Sequence, residues 1–344
     1  MKINAYIHIK EIQELWRTLY KDNDNLSFYQ SYEWNSCLEK QFHASKMLRY
    51  RGCQLVYYAF DGEVILPLII DSKNKIISLL GHKESSDYLS FIFKNLDDNL
   101  LQKILNFLLI KYENFRLYFD KINESNILCE MLQKVKTLQN CNVKSEKKEC
   151  VYIPLNADMD SFYQSLSKNA RQNYRTAKNR LKRDQHSYQV RTNVIKLDDL
   201  QAGTFYKLYR ERRDYCDKRE IFIKKIRHSA KKMISFIPGF SVIDPLTLYS
   251  LQVPVFLSSI FVDNELAAFC EGNYNNRKGT ISIARIATNE VYYSYSPGQI
   301  LLIETLEQLK DQIHFFDLTR GVEDYKFKLN GKKHYNYSFL LQRH

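Results

Sequence analysis

Phe315-Phe316-Asp317-Leu318-Thr319-Arg320-Gly321-Val322-Glu323-Asp324-Tyr325-Lys326-Phe327-Lys328 is the most informative stretch of this chain. An apolar run ends in aspartate, Arg-Gly follows, and Tyr-Lys closes the segment. A carboxylate, a guanidinium, a phenol and an ammonium thus gather around one strand-to-loop turn. A packed core has no need of such groups, whereas a polar or anionic substrate does. Just upstream, Ser296-Pro297-Gly298-Gln299 opens a helix. Serine is a favoured N-cap, proline fits the first turn, and glycine keeps bulk away from the helix mouth. That mouth reads either as an ordinary capped start or as a site for phosphate or carbonyl oxygen.

Working outward, the helix Pro297–Gln312 is preceded by a β-meander. Its strands are Val255–Val262, Glu265–Tyr274 and Thr280–Ala287, joined at Asp263-Asn264 and Asn275–Gly279. Strand His314–Leu318 follows the helix, and a last strand lies near Tyr335–Leu341. Upstream of the meander come a short strand, Val151–Leu155, and a long helix from Asp160 to Asp184. A second helical region covers Leu200–Phe236, interrupted near Cys216–Glu220 and ended by Pro238-Gly239. The earlier residues repeat the mixture. Helical spacing marks Ile9–Tyr20, Ser31–Gln41, Asn99–Tyr112 and Ser125–Val135. Strands cover Gln54–Phe60, Val64–Asp71, Ile76–Leu80 and Phe115–Phe119, the first two joined by the hairpin signal Asp61-Gly62. The polar run Asn140–Glu149 reads as a linker.

The 344 residues allow two domains at ~150 residues each. The expected boundaries are 1–149 and 150–344, with the helical segment at about 160–236. Hydrophobic and charged fractions of 44% and 26% are globular values, and 25 Tyr and 20 Phe argue against disorder. No run approaches the ~18 apolar residues that span a bilayer, and Met1-Lys2-Ile3-Asn4-Ala5-Tyr6 is no signal peptide. Seven dispersed cysteines without a C-x-x-C pair read as reduced thiols in a cytoplasmic protein, with no metal site expected. A net charge of +12 suits a phosphorylated donor, nucleic acid or peripheral contact with a membrane surface; solvated lysines give the same number.

Three pieces together resemble the CelD/BcsL-type branch of the GNAT acyltransferases, relatives of the FemABX aminoacyltransferases. They are Leu166-Ser167-Lys168-Asn169-Ala170-Arg171-Gln172-Asn173, Tyr295-Ser296-Pro297-Gly298, and Asp317-Leu318-Thr319-Arg320-Gly321 with Tyr325-Lys326. Leu80-Gly81-His82 with Ser86-Asp87-Tyr88, and Gln30-Ser31-Tyr32-Glu33-Trp34, extend the resemblance over roughly 28–330. It implies an α/β (α+β) fold of two tandem GNAT-like domains. Each would be a mixed, mostly antiparallel sheet flanked by helices, with a helical pair in the second, catalytic one. It also implies an acyl-CoA donor, acetyl-CoA in the simplest case, with its phosphates at Ser296, Pro297, Gly298 and Gln299. The chain departs from the family's Gly-rich pyrophosphate loop, since only Gly298 stands at the helix start. Acyl-carrier-protein thioesters and aminoacyl-tRNA therefore stay open as donors.

Acyl transfer to an amine needs a base for the nucleophile and an acid for the departing thiolate. Glu271 is the leading candidate base, since burial beside Cys270 and Phe269 would raise its pKa, and Asp317 is the second. Glu271 equally reads as a strand-end carboxylate, and Asp317 as a partner for Arg320 or Lys326. Tyr293, Tyr295 and Tyr325 are candidate acids, the last two inside the motifs. Arg320 and Lys326 suit a substrate carboxylate or phosphate, and His82, Asp87 and Tyr88 join them as acceptor-side candidates. Lys168, Arg171, Arg175 and Lys178 form a basic helix face, and no acidic residue interrupts Ser161–Arg183. That face is a solvated surface or a place for phosphates, including those of tRNA. No metal-ligand spacing, P-loop or Ser-His-Asp pattern appears. The expected activity is direct N-acyl transfer to a sugar, amino acid or envelope precursor. A FemABX-like aminoacyl-tRNA transferase and a non-catalytic GNAT-fold binding module are the alternatives.

Overall fold

The structure is a computed structural model that describes residues 1–83, 86–135, 141–155, 159–216, 239–241, 243–275 and 278–343. It divides into two compact units. The first comprises residues 1–148 with the described parts of 239–248 and 335–343; the second comprises 149–216 and 249–334.

In the first unit, strand β1 (Ile3–Tyr6), helices α1 (Gln13–Lys21) and α2 (Tyr32–Ala44) lead into the meander β2 (Cys53–Phe60), β3 (Val64–Asp71) and β4 (Ile76–Leu79). Asp61 and Gly62 both take positive φ, +49° and +75°, the turn that matches strand twist in a two-residue hairpin. Every residue of β3 is buried, so it reads as a continuous apolar run. The short β5 (Ile92–Phe93) pairs with β3. Helix α3 (Asp98–Lys111), capped by the Asp97 carboxylate on Leu100 N–H at 2.7 Å, returns the chain to β6 (Arg116–Asn123), parallel to β4. Helix α4 (Ile127–Lys134) follows.

From β7 onward the chain repeats this plan. After β7 (Cys141–Pro154) come α5 (Met159–Ser165), α6 (Lys168–Arg183), β8 (Tyr188–Ile195), α7 (Asp199–Cys216) and α8 (Pro245–Ser250). The meander is β9 (Val255–Val262), β10 (Glu265–Asn275) and β11 (Thr280–Thr288), its first turn again two positive-φ residues, Asp263 and Asn264. Helix α9 (Pro297–Leu309) then leads to β12 (Phe315–Arg320), parallel to β11, and to α10 (Asp324–Lys328) and β13 (Lys332–Arg343). The core under α9 joins Ile300, Leu301 and Ile303 to Ile260, Ile281, Ile283 and Phe316.

The last strand of each sheet is exchanged. β7 follows α4 in sequence, yet its Tyr152, Ile153 and Pro154 pair antiparallel with β12. β13 follows α10, yet Asn336 to Leu341 pair with β6 of the first unit. The sheets therefore run β1-β2-β3-β4-β6-β13 and β8-β9-β10-β11-β12-β7.

The mixed, mostly antiparallel architecture matches the sequence reading, with local differences. The expected linker 140–149 is strand over its described part, because ladder pairing rather than an apolar face defines β7. The single helix expected from Asp160 breaks in two at Leu166-Ser167, where Ser167 Oγ caps the Ala170 N–H at 3.1 Å. Strands β1, β5 and β8 and the short helices α8 and α10 were not anticipated. Of the helical region 200–236, residues beyond 216 lie outside the described ones. Among the described residues no helix is long and apolar enough to cross a membrane.

Candidate functional site at the parting of β11 and β12

Strands β11 and β12 are paired only at Thr280–Phe315, Ile281–Phe316 and Ser282–Asp317. β11 runs on to Thr288, whereas Thr319 turns β12 with φ +53°, an unusual value for a β-branched residue. Thr319 Oγ1 reaches back to donate to Ile283 O at 3.1 Å. Past that point, among the described residues, the outer edge of β11 has no ladder partner. The first turn of α9 packs at its end, so close that a Cβ on Gly298 would lie 3.0 Å from Thr288 Oγ1. Gln299 and Ile300 N–H both turn back to Ser296 O, and Pro297 has no N–H, which leaves Gly298 as the donor of that turn. A strand edge and a helix mouth thus meet at one end of β11.

A bulge shapes the strand beneath. Glu271 stands opposite Arg285 and Gly272 opposite Ile283, so Ala284 is an extra residue in β11. One extra residue reverses the alternation of faces. Ile281 and Ile283 belong to the core under α9, Ile286 packs on that core after the bulge, and Arg285 emerges on the opposite face. There its NH1 lies 3.3 Å from Glu271 Oε2, both side chains almost fully buried. Its guanidinium also lies 5.8 and 5.3 Å from the ring centres of Tyr206 and Tyr209 of α7. Farther along α7, Arg212 NH1 donates to Tyr293 OH at 3.3 Å. The partly buried Tyr325 phenol is within electrostatic reach of Glu323, Cys270 and Arg212. Burial, then the Glu323 carboxylate and Cys270, push its pKa well above the usual value, and Arg212 opposes them.

The Asp317–Lys326 turn is held from inside. Asp317 is buried; its Oδ1 accepts Thr319 N–H at 2.8 Å, its Oδ2 accepts Ser282 Oγ at 3.4 Å, and His334 Nε2 is 3.5 Å from Oδ1. Lys326 is 3% exposed and donates to the carbonyls of Leu318, Arg320 and Gly321 at 3.0, 2.6 and 3.2 Å. With Glu323 Oε2 also 3.1 Å from its Nζ, Lys326 clamps the turn from inside. Glu271, the other candidate base, has 0% exposure and lies beside Arg285, where it braces the bulge. The Arg320 side chain is exposed at the strand end.

The basic helix α6 runs beside the α9 mouth. Gln299 Nε2 donates to Ala170 O at 2.8 Å, and Arg180 NH1 to Ser294 O at 2.8 Å. Lys168 is exposed, Arg171 NH1 donates to Gln164 O at 2.7 Å, and Arg175 Nε to Tyr163 OH at 3.1 Å. Lys178 instead pairs with Glu304 Oε1 at 3.3 Å, the same oxygen that accepts from Tyr174 and Tyr188 at 3.0 and 2.8 Å. That ties it to α9. Tyr295 OH donates to Asp184 Oδ2 at 3.1 Å and lies 3.1 Å from His186 Nε2, whose Nδ1 is 2.6 Å from Asp263 Oδ2. Ser296 takes φ +48° and does not cap α9 with its side chain.

In the first unit, His82 Nδ1 lies 2.9 Å from Asp120 Oδ2 and its ring meets Tyr118 edge-on at 5.1 Å. Asp87 and Tyr88 are buried, and Tyr88 O accepts Gln30 Nε2 at 2.8 Å. Trp34 Nε1 donates to Ser86 Oγ at 3.0 Å. The Gly81-His82 and Ser86-Asp87-Tyr88 motif is a loop fastened to its own unit, which the substrate-binding expectation did not foresee. The sequence reading also missed Arg285, Arg212 and His186. A lone arginine within Ile-Ser-Ile-Ala-Arg-Ile-Ala was the available signal for the first.

An acetyltransferase (GNAT) domain matches residues 255–327, from the start of β9 into α10. No curated protein matches the sequence. Among solved structures, a conserved protein of unknown function from Bacteroides thetaiotaomicron is 11% identical, with 99% of this chain and 100% of that one covered and a TM-score of 0.58. L-PGS from Bacillus licheniformis is 12% identical over 89% of this chain and 90% of that one, TM-score 0.52. FemX is 11% identical over 98% and 97%, TM-score 0.51. At these identities the likeness is one of fold.

Proposed function

Proceeding from the acetyltransferase (GNAT) domain match over residues 255–327, we propose that this chain transfers an acyl group, acetyl in the simplest case, from coenzyme A to an amine of a sugar, amino acid or envelope precursor. The parting of β11 and β12 after Ser282–Asp317 is the observation that supports this reading most. It frees strand-edge N–H groups suited to a thioester carbonyl, beside the Gly298 N–H, which suits a phosphate. The surroundings fit a polyanionic donor, because α6 lines the mouth through Ala170 and Arg180 and brings Lys168 and Arg171 near it. When bound, coenzyme A supplies a thioester activated toward attack. Tyr325, kept protonated by burial, is the group we assign to protonating the departing sulfur. Arg320 attracts an anionic group of the acceptor, while Asp317 and Lys326 hold the turn that carries it. Residues 150–334 carry the chemistry in this reading. Buried thiols at Cys37, Cys53, Cys129, Cys150 and Cys270, none in a disulfide, suit a cytoplasmic setting.

The full chain is to be titrated with acyl-CoAs and with charged tRNA while its thermal midpoint is followed. A ligand that binds the folded chain at 100 times its Kd stabilises it by about 2.7 kcal/mol. Stabilisation and turnover with an acyl-CoA are expected; indifference to every acyl-CoA overturns the proposal.

One observation favours a second reading, transfer from aminoacyl-tRNA. The 161–183 segment is basic without an acidic residue, and the fold is similar to that of FemX. tRNA binding that weakens steeply with salt, together with indifference to acyl-CoA, would select it. Ligand binding without turnover across a broad amine panel would select a non-catalytic module.

A further inference from the structure

The first unit carries a side-chain cluster that acyl transfer does not use. His8 heads the 3-10 turn Ile9–Ile12, and Glu39 and His43 stand one turn apart on α2. His8 Nδ1 is 3.7 Å from Glu39 Oε1, and one ligand atom from each of the three residues lies within 4.8 Å of the others. We propose that His8, Glu39 and His43 bind a divalent late-first-row ion of the zinc class, with water as the fourth ligand.

The ligand set and the spacing both point this way. Two imidazoles and one carboxylate suit zinc, cobalt, nickel or copper, whereas magnesium and calcium take oxygen ligands. Zinc bonds of ~2.1 Å in a tetrahedron hold ligand atoms ~3.4 Å apart. The His8–Glu39 pair is already near that separation. The wider ones close by roughly 1 Å of ring movement, which the exposed His8 and His43 side chains allow.

The cluster is also partly pre-arranged. Ile9 N–H donates to Glu39 Oε1 at 3.2 Å, and Glu11 Oε1 accepts His8 N–H at 2.8 Å, which fixes the backbone at His8. Phe42 meets the His43 ring edge-on at 5.3 Å. Such outer contacts orient ligands and raise affinity. The bound ion joins the amino-terminal turn to α2, two segments that approach one another from positions 31 residues apart. That separation is why no linear metal motif announces the site; the i, i+4 pair Glu39 and His43 is its local trace.

The test is calorimetric titration of the full, reduced chain with Zn²⁺ alone, beside His8→Ala and His43→Ala variants checked for unchanged circular dichroism. One equivalent is expected to bind the wild type and raise its thermal midpoint, with affinity at least about 100-fold lower in each variant. Mg²⁺ is expected to have no effect. Co²⁺ is expected to give an intense tetrahedral visible band without thiolate charge transfer, since no cysteine belongs to the site. Equal binding by wild type and variants, a thiolate band, or no saturable Zn²⁺ binding overturns the proposal.

Discussion

Glu271 and Arg285 face one another across a one-residue bulge, Oε2 to NH1 3.3 Å, with 0% and 3% of their side chains exposed. Burying two charges is costly, and their attraction roughly repays it; losing one partner leaves the other stranded. We expect Arg285→Met or Glu271→Leu alone to lower the free energy of unfolding by about 3–5 kcal/mol. The double variant should recover much of that loss. Urea denaturation checks this, and an Arg285→Met variant as stable as the wild type would sink the idea.

Gly272 sits directly beside the same bulge. A Cβ there would come 2.1 Å from the Ser282 carbonyl oxygen, a backbone atom that cannot swing aside. Gly272→Ala should therefore cost about 3 kcal/mol or more and push β10 and β11 apart. Thermal unfolding together with amide exchange at Ser282 and Ile283 measures both effects. Wild-type protection at those amides would contradict the expectation.

Lys326 serves three carbonyls of the 318–321 turn. Lys326→Met removes the ammonium and strands those acceptors, at about 1.5–3 kcal/mol for a charged hydrogen bond. The larger effect should be local: faster amide exchange at Thr319 to Gly321 and a raised KM for the acceptor. Lys326→Arg should not restore either, because a planar guanidinium does not fit a three-carbonyl cup. Full rescue by arginine would show that charge alone suffices there.

Tyr325 links structure to pH. Its folded pKa is raised above the ordinary tyrosine value of about 10, so the folded chain holds the phenol proton where an unfolded chain releases it. The resulting stabilisation is fully present below about pH 10 and is lost as pH climbs through the folded value. If this phenol is the acid, Tyr325→Phe should lower kcat by about 10²–10⁴ and leave KM nearly unchanged. Steady-state kinetics decide it; an unaltered kcat removes Tyr325 from proton transfer.

Much of this architecture can be read from local chemistry. Asp61-Gly62 and Asp263-Asn264 announce their hairpins because few other residues adopt two successive left-handed conformations. Ser296-Pro297 announces a helix, although the serine turned left-handed and left its hydroxyl out of the cap. What stayed hidden depends on partners distant in sequence. β7 carries Lys144, Glu146, Lys147, Lys148 and Glu149, a polar run that becomes strand because a ladder forms along it. β8 alternates between half-buried and exposed positions and has no buried residue to mark it. In the site, the types Asp317, Tyr325 and Lys326 were legible but their roles were not. A lysine aimed at solvent and a lysine aimed at three carbonyls are identical as letters. The bulge at Ala284, which turns Arg285 toward Glu271, leaves only that lone arginine in an apolar run as its trace.

The exchanged strands bear on how the chain is made. On the ribosome, residues 1–135 emerge early with a meander, helices and β6, but the strand that covers β6 lies near residue 340. The first unit must therefore wait, its β6 edge unpaired and open to unwanted association, until nearly all of the second has been synthesised. Cutting the chain at 149/150 should leave one fragment without β13 and the other with only a remnant of β7. Each alone should aggregate, whereas co-expression should recover soluble, paired fragments. Synthesis order and completion order are thus uncoupled.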